Sequence, residues 1–257
     1  MYRLLSMVLI LMGTLLGGIL GYHALSSQMV EMRGILRAKY EVDLTTESGG
    51  LVRTIECISG GDVKKGDVIV TLSAEPEIAK LSSLQATAEL AQITYARDKE
   101  QFAIHAVSRA KLDEDLAELR STQADVLEQD AIVAQKIVRA PFDGRLGIST
   151  VNLGQYLAKG DKIATLQALD PIYVDFYLPQ TLFEQIGIHQ IVYFRTNAYP
   201  HLEFEGKITG IDARFDPANQ TVRVEAILSN SKYKLYPGIS GTIHLKDDPK
   251  RGTTLAR

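Results

Sequence analysis

GLVRTIECISGGDVKKGDVIVTL, residues 50–72, is written a second time as GRLGISTVNLGQYLAKGDKIATL, residues 144–166, without a gap. Gly50, Gly60, Lys65, Gly66, Asp67, Ile69, Thr71 and Leu72 recur as Gly144, Gly154, Lys159, Gly160, Asp161, Ile163, Thr165 and Leu166. Val52 and Val63 recur conservatively as Leu146 and Leu157. Short apolar runs broken by Gly-Gly and Lys-Lys-Gly-Asp predict strands joined by tight turns, with Gly66 supplying a positive φ. The two copies are expected to close into one β body, with Leu72 and Ala140 lying side by side.

Between the copies the chain is rich in Ala, Leu, Glu, Gln and Lys. Pro76 suits a first helical turn, where its missing N–H costs nothing. Leu81, Leu84, Ala88, Ala91, Tyr95, Asp98 and Phe102 then alternate in steps of three and four, and Asp98 alone breaks the apolar seam. A second series runs Leu112, Leu116, Leu119, Gln123, Val126, Asp130, Val133 and Ile137. With a short break at residues 105–108, this spacing predicts an antiparallel coiled-coil hairpin projecting ~40–45 Å. Pro141 ends the helical stretch.

Beyond the second copy, Ile172–Leu178 alternates as a strand, and Thr181–Ile188 reads as a short amphipathic helix closed by Gly187. Runs at 191–194, 205–211, 221–228 and 241–245, with Pro/Gly/Asn turns between them, predict a small β-barrel. Residues 247–257 are polar and read as a tail. Before the first copy, Met32–Leu44 is expected to be extended. Arg3 precedes Leu4–Leu20, an uncharged run spanning about 25 Å as a helix. It reads either as an uncleaved transmembrane anchor or as a signal peptide cut near Ala24-Leu25-Ser26. Either way the remainder of the chain is exported.

Composition excludes several classes. The net charge of −3 and the absence of a basic cluster argue against nucleic acid. Cys57 is the single cysteine, so no internal disulfide or cysteine metal site forms, and a buried inert thiol is expected. The five histidines (His23, His105, His189, His201, His244) form no ligand or catalytic motif. No catalytic residue, metal site or cofactor is expected. The glycines at 60, 61 and 66 make neither dinucleotide nor P-loop spacing.

The split repeat resembles the two halves of a lipoyl (biotinyl-carrier-like) domain. Val138-Arg139-Ala140-Pro141-Phe142-Asp143-Gly144 is similar to the re-entry segment of bacterial periplasmic adaptors, the membrane fusion proteins. Leu169-Asp170-Pro171-Ile172-Tyr173-Val174 with Leu178-Pro179, and Tyr236-Pro237-Gly238-Ile239, resemble the two ends of their barrel domain. The resemblance implies an α+β, mostly β chain in seven parts. These are an anchor or signal (1–22), an N-terminal strand region (32–45), a first lipoyl-like half (46–73), the α-helical hairpin (74–139), the second half (140–168), a β-barrel (169–246) and the polar tail (247–257). A membrane-proximal domain is expected to be absent or incomplete. A cofactor carrier would present its lysine in the turn that the hairpin here replaces, so cofactor carriage is set aside.

The implied role is an adaptor of a resistance-nodulation-division (RND) efflux pump. It would sit in the inner membrane of a Gram-negative bacterium by one N-terminal anchor, with its bulk in the periplasm. The implied partners are an inner-membrane transporter, an outer-membrane channel, and further copies of itself in a trimeric or hexameric ring. The family's Arg-x3-Leu-x6-Ser tip signature falls on Arg97, Gln101 and Ser108, with Gln in place of Leu, and implies contact with the channel. For Ser108 a helix N-cap, and for Arg97 a solvated helical surface, are the structural readings of the same residues. The alternative transport context is an ABC-type exporter or a type I secretion system.

Overall fold

The computed structural model describes residues 31–245; the run Leu4–Leu20 and the tail 247–257 lie outside the described residues. In chain order the elements are β1 (Met32–Ala38), β2 (Glu41–Thr45), β3 (Gly50–Ile55), β4 (Asp62–Val63), β5 (Val68–Leu72), α1 (Glu75–Ala103) and α2 (Arg109–Ala134). There follow β6 (Ile137–Arg139), β7 (Gly144–Leu146), β8 (Tyr156–Leu157), β9 (Lys162–Gln167), β10 (Ile172–Pro179), β11 (Ile191–Arg195), β12 (Glu203–Asp216), β13 (Thr221–Leu228) and β14 (Ser240–Leu245). The described chain forms two compact units, one of residues 31–35, 175–226 and 240–245, the other of 36–174 and 227–239. Among the described residues no helix is long and apolar enough to cross a membrane.

In the second unit the repeat forms two four-stranded sheets, ordered β2-β9-β7-β4 and β6-β5-β3-β8. The sheets exchange strands between the two copies, and equivalent hydrogen bonds appear twice. The N–H of Val52 donates to Gln155 O at 2.8 Å, and the N–H of Leu146 donates to Gly61 O at 2.9 Å. Ala140 N–H to Asp67 O at 2.9 Å is matched by Thr46 N–H to Asp161 O at 3.1 Å. Neither copy can satisfy its own edge groups, so each completes the other. The conserved apolar positions supply one core: Val52 and Leu146, Val63 and Leu157, Ile69 and Ile163, Leu72 and Leu166 are all buried. Gly66 and Gly160 both stand at φ +92°, where an L side chain is strained, which is why both turns keep glycine.

The pairing differs from the expected one in a single respect. Gly66 N–H donates to Ala140 O, while Leu72 N–H donates to Lys136 O, both at 2.8 Å. Strand β6 runs antiparallel to β5, so the returning chain meets Leu72 first and reaches Gly66 by Ala140. Ile137–Arg139, expected within the hairpin, is therefore strand. Met32–Leu44 is likewise two strands, β1 in the barrel and β2 in the sandwich. Cys57 is half-buried, with its Sγ 3.1 Å from Val68 O, and burial pushes its thiol pKa up.

In the first unit the strands lie in a closed barrel ordered β1-β10-β13-β12-β11-β14. Phe176, Phe194, Ile208, Val222, Val224 and Ile243 fill it, all fully buried. Closure brings β14 against both β1 and β11, with Ile243 opposite Met32 and Phe194. At Gly241 a Cβ would stand 2.1 Å from Arg195 O and 2.6 Å from the Phe194 ring, so the seam closes only over glycine. The expected amphipathic helix at 181–188 is instead a 3₁₀ turn, Gln180–Gln185. Phe183 stacks edge-on against Phe215 there at 5.1 Å, a contact that a short tight turn supplies without a full helix.

Candidate functional site

The candidate site is the end of the helical hairpin, where the expected tip residues lie. Helix α1 begins with Pro76 in its first turn and Glu75 and Glu77 beside the positive end of its dipole. It ends at Ala103, where the N–H groups of Ile104, His105 and Ala106 fold back on Gln101 O and Phe102 O. His105 takes φ +59° in this turn, a left-handed conformation for a residue with a Cβ. Ser108 opens α2: its backbone is extended and its hydroxyl accepts from Lys111 N–H at 3.1 Å. Ser108 is thus the N-cap of α2, which leaves its O–H free to donate outward.

Arg97 and Gln101 are one turn apart on α1 and share a side of it. Arg97 is exposed, and its Nε donates to Asp98 Oδ1 at 3.3 Å. Gln101 is half-buried and Ser108 exposed. The hydrogen bonds of Arg97 and Ser108 go to Asp98 and Lys111, not to each other.

The helix seam departs from the sequence reading on α2. Thr122 is buried and Gln129 half-buried, while Gln123 and Asp130 face solvent. Asp115 joins the seam, buried like Asp98. Leu112, Asp115, Leu119, Thr122, Val126, Gln129 and Val133 therefore form the inward series, in steps of three and four. Polar residues are tolerated at these positions because each side chain makes at least one polar contact, although Asp115 Oδ2 is buried without a hydrogen-bond partner. Thr122 Oγ1 donates to Glu118 O and Leu119 O, both at 3.1 Å, and Gln129 Nε2 donates to Glu77 O at 3.0 Å. Lys111 Nζ lies 2.9 Å from Asp115 Oδ1 and holds that carboxyl below the usual carboxylate range against the opposing effect of burial.

At the base, Lys136 carries the junction with the sandwich. Its Nζ lies 2.9 Å from Glu77 Oε1 and donates to Gly49 O at 2.8 Å, with the lysine only 7% exposed. Lys136 holds the Glu77 carboxyl below its ordinary range. Sequence reasoning missed Lys136, because a lysine between a helix and a strand carries no signal until its neighbours are known. The same holds for Asn230, which is buried in the second unit. Its side chain donates to Leu169 O at 2.9 Å and Leu235 O at 2.8 Å, and accepts from Leu235 N–H. Among the described residues no group of three or more His, Cys, Asp or Glu could hold a metal ion.

Comparison with known proteins agrees with this geometry. Residues 171–249 match the family described as CusB-like, β-barrel domain. An uncharacterized protein of Haemophilus influenzae is 29% identical over 84% of this chain and 57% of its own length. The multidrug export protein AcrE of Escherichia coli is 27% identical over 81% of this chain and 62% of its own. The multidrug resistance protein MdtE of Escherichia coli is 27% identical over 84% and 63%. The chain thus spans less than two thirds of the length of these relatives. Among solved structures, a MacA–MexA chimera carrying the Pseudomonas aeruginosa MexA α-hairpin domain superposes with TM-score 0.73 at 20% identity, over 84% of this chain and 81% of that one. The membrane fusion protein Spr0693 of Streptococcus pneumoniae gives 0.65 at 17% identity, over 85% and 99%. Residues 171–249 are thus similar to the CusB-like barrel, and the described chain shares the fold of these solved structures.

Proposed function

We propose that this chain is a periplasmic adaptor that links an inner-membrane RND-type pump to an outer-membrane channel for the export of small molecules. One observation carries the reading: two interlocked copies of a β unit enclose the root of a long antiparallel hairpin. A hairpin of ~40 Å with no chemistry along it serves reach, and the interlocked sheets give it a rigid footing. Arg97, Gln101 and Ser108 at the tip meet the channel, Arg97 through its planar fork of donors and Ser108 through its outward O–H. Leu90 and Ile93 on α1 and Leu127 on α2 are exposed apolar residues on the hairpin flanks. They supply surface for lateral contact between copies in a ring. The N-terminal run Leu4–Leu20 tethers the assembly in the inner membrane of a Gram-negative cell. The adaptor uses no cofactor, since the pump provides the energy.

The test is capture from cross-linked cell envelopes with the full chain as bait, combined with tolerance measurements on a deletion strain. Recovery of an RND pump together with an outer-membrane channel, and loss of tolerance on deletion, are expected. Recovery of an ABC-type transporter instead, with RND-dependent tolerance unchanged, would overturn the assignment.

A further inference from the structure

We propose that a cleft on the outer side of the barrel, formed by Arg33, Thr242, Arg195 and His244, binds a phosphate-type oxyanion. This inference is independent of the adaptor reading. The cleft has a volume of about 550 Å³ and is lined chiefly by polar groups. Strand register creates it. Thr242 on β14 stands opposite Arg33 on β1 and opposite Arg195 on β11, so the two arginines flank one hydroxyl. Neighbouring strands lie about 4.8 Å apart, which sets the two arginine Cα atoms about 10 Å apart. Side chains of that length converge on a small anion held above Thr242. Their neighbours Ile243 and Phe194 point into the barrel and are fully buried, so alternation turns Arg33, Thr242 and Arg195 outward.

The charges are arranged for a ligand that accepts hydrogen bonds. Arg33 makes no ion pair among the described residues. Arg195 is held by Glu203, whose Oε1 lies 2.9 Å from Nε, and this fixes the guanidinium while leaving its terminal nitrogens to donate. Glu31 also lines the cleft and is exposed. His244, only 7% exposed, lines the same cleft, and its Nδ1 is buried without a hydrogen-bond partner. A buried imidazole nitrogen left without a partner is rare in a finished fold. An oxyanion above Thr242 would take the two guanidinium forks, with the His244 side chain forming part of the cleft wall.

The test uses the full chain in a neutral detergent, with sodium phosphate replacing sodium chloride at constant ionic strength. The unfolding midpoint of the wild type should rise and saturate with phosphate. R33Q, which removes an exposed charge that makes no ion pair among the described residues, should keep the wild-type midpoint in chloride and bind phosphate about tenfold or more weakly. T242V should weaken binding in the same direction. Because phosphate stabilises proteins generally by exclusion from their surface, the difference between wild type and R33Q is the decisive quantity. An equal rise in both, or no rise in the wild type, overturns the site. Flotation with phosphatidylcholine vesicles, with and without phosphatidic acid, distinguishes the source. A phosphatidic-acid-dependent gain lost in R33Q assigns a lipid headgroup, and its absence alongside the solution shift assigns free phosphate.

Discussion

The main-chain N–H of Leu72 donates to the carbonyl of Lys136 at 2.8 Å, so the chain leaving for the hairpin and the chain returning from it are bonded where they part. The side chain of Lys136 then reaches Glu77 on the first turn of α1 and Gly49 before β3. One residue thereby ties both arms to the sandwich.

Replacing Lys136 with Met should destabilise the sandwich and hairpin by about 3 kcal/mol, because the Glu77 carboxylate and the Gly49 carbonyl lose a partly buried cation. Denaturant unfolding measures it. Glu77→Gln combined with Lys136→Met should cost less than the sum of the two single changes. Additivity would show that the pair does not act as a unit.

Asn230→Ala should cost about 2 kcal/mol or more, since it strands two buried carbonyls and one N–H at once. Asn230→Asp should rescue little, because its carboxylate still accepts from Leu235 N–H but cannot donate to Leu169 O or Leu235 O. Thermal unfolding of the two variants checks the order.

The hairpin should be acid-sensitive through Asp115. Its folded-state pKa is depressed, principally by Lys111. The pair's contribution is therefore present above the unfolded carboxylate pKa of about 3.9 and is lost as pH falls through the lower folded value. Helical ellipticity followed in urea at pH 5 and at pH 3 should show a larger drop for wild type than for Lys111→Met. Equal drops would assign the acid sensitivity elsewhere.

Arg97→Asp should lower capture of the outer-membrane channel by about tenfold or more while leaving helical content unchanged, as expected of an arginine anchor at an interface. Ser108→Ala should instead lower hairpin stability by about 1 kcal/mol through loss of the N-cap. Capture by Ser108→Ala measured well below its unfolding midpoint separates the capping role from partner contact. Retained capture by Arg97→Asp would remove Arg97 from the contact.

The β framework was legible because a repeat is a local signal. Each copy carries its own apolar pattern and its own turn glycines, and Gly66 and Gly160 hold the same φ because the same residues surround them. The hairpin was legible from its heptad period, and Leu112, Leu119, Val126 and Val133 fall inward as that period requires. Leu116 is half-buried as expected, but Gln123 and Asp130 face solvent. Those two positions continue the series about as well as Thr122 and Gln129, and the choice depends on what each polar group meets. Thr122 finds carbonyls of its own helix, Gln129 finds Glu77 O, and Asp115 finds Lys111.

By itself, then, the sequence determined the elements, their order and the fact that two distant stretches form one body, because periodicity and turn chemistry act over a few residues. Only the tertiary structure decided which partners those stretches take: Lys136 against Glu77, Asn230 among three backbone groups, and two arginines on either side of Thr242. Such contacts join residues far apart in the chain. Their energies depend on burial and distance, which no local pattern encodes.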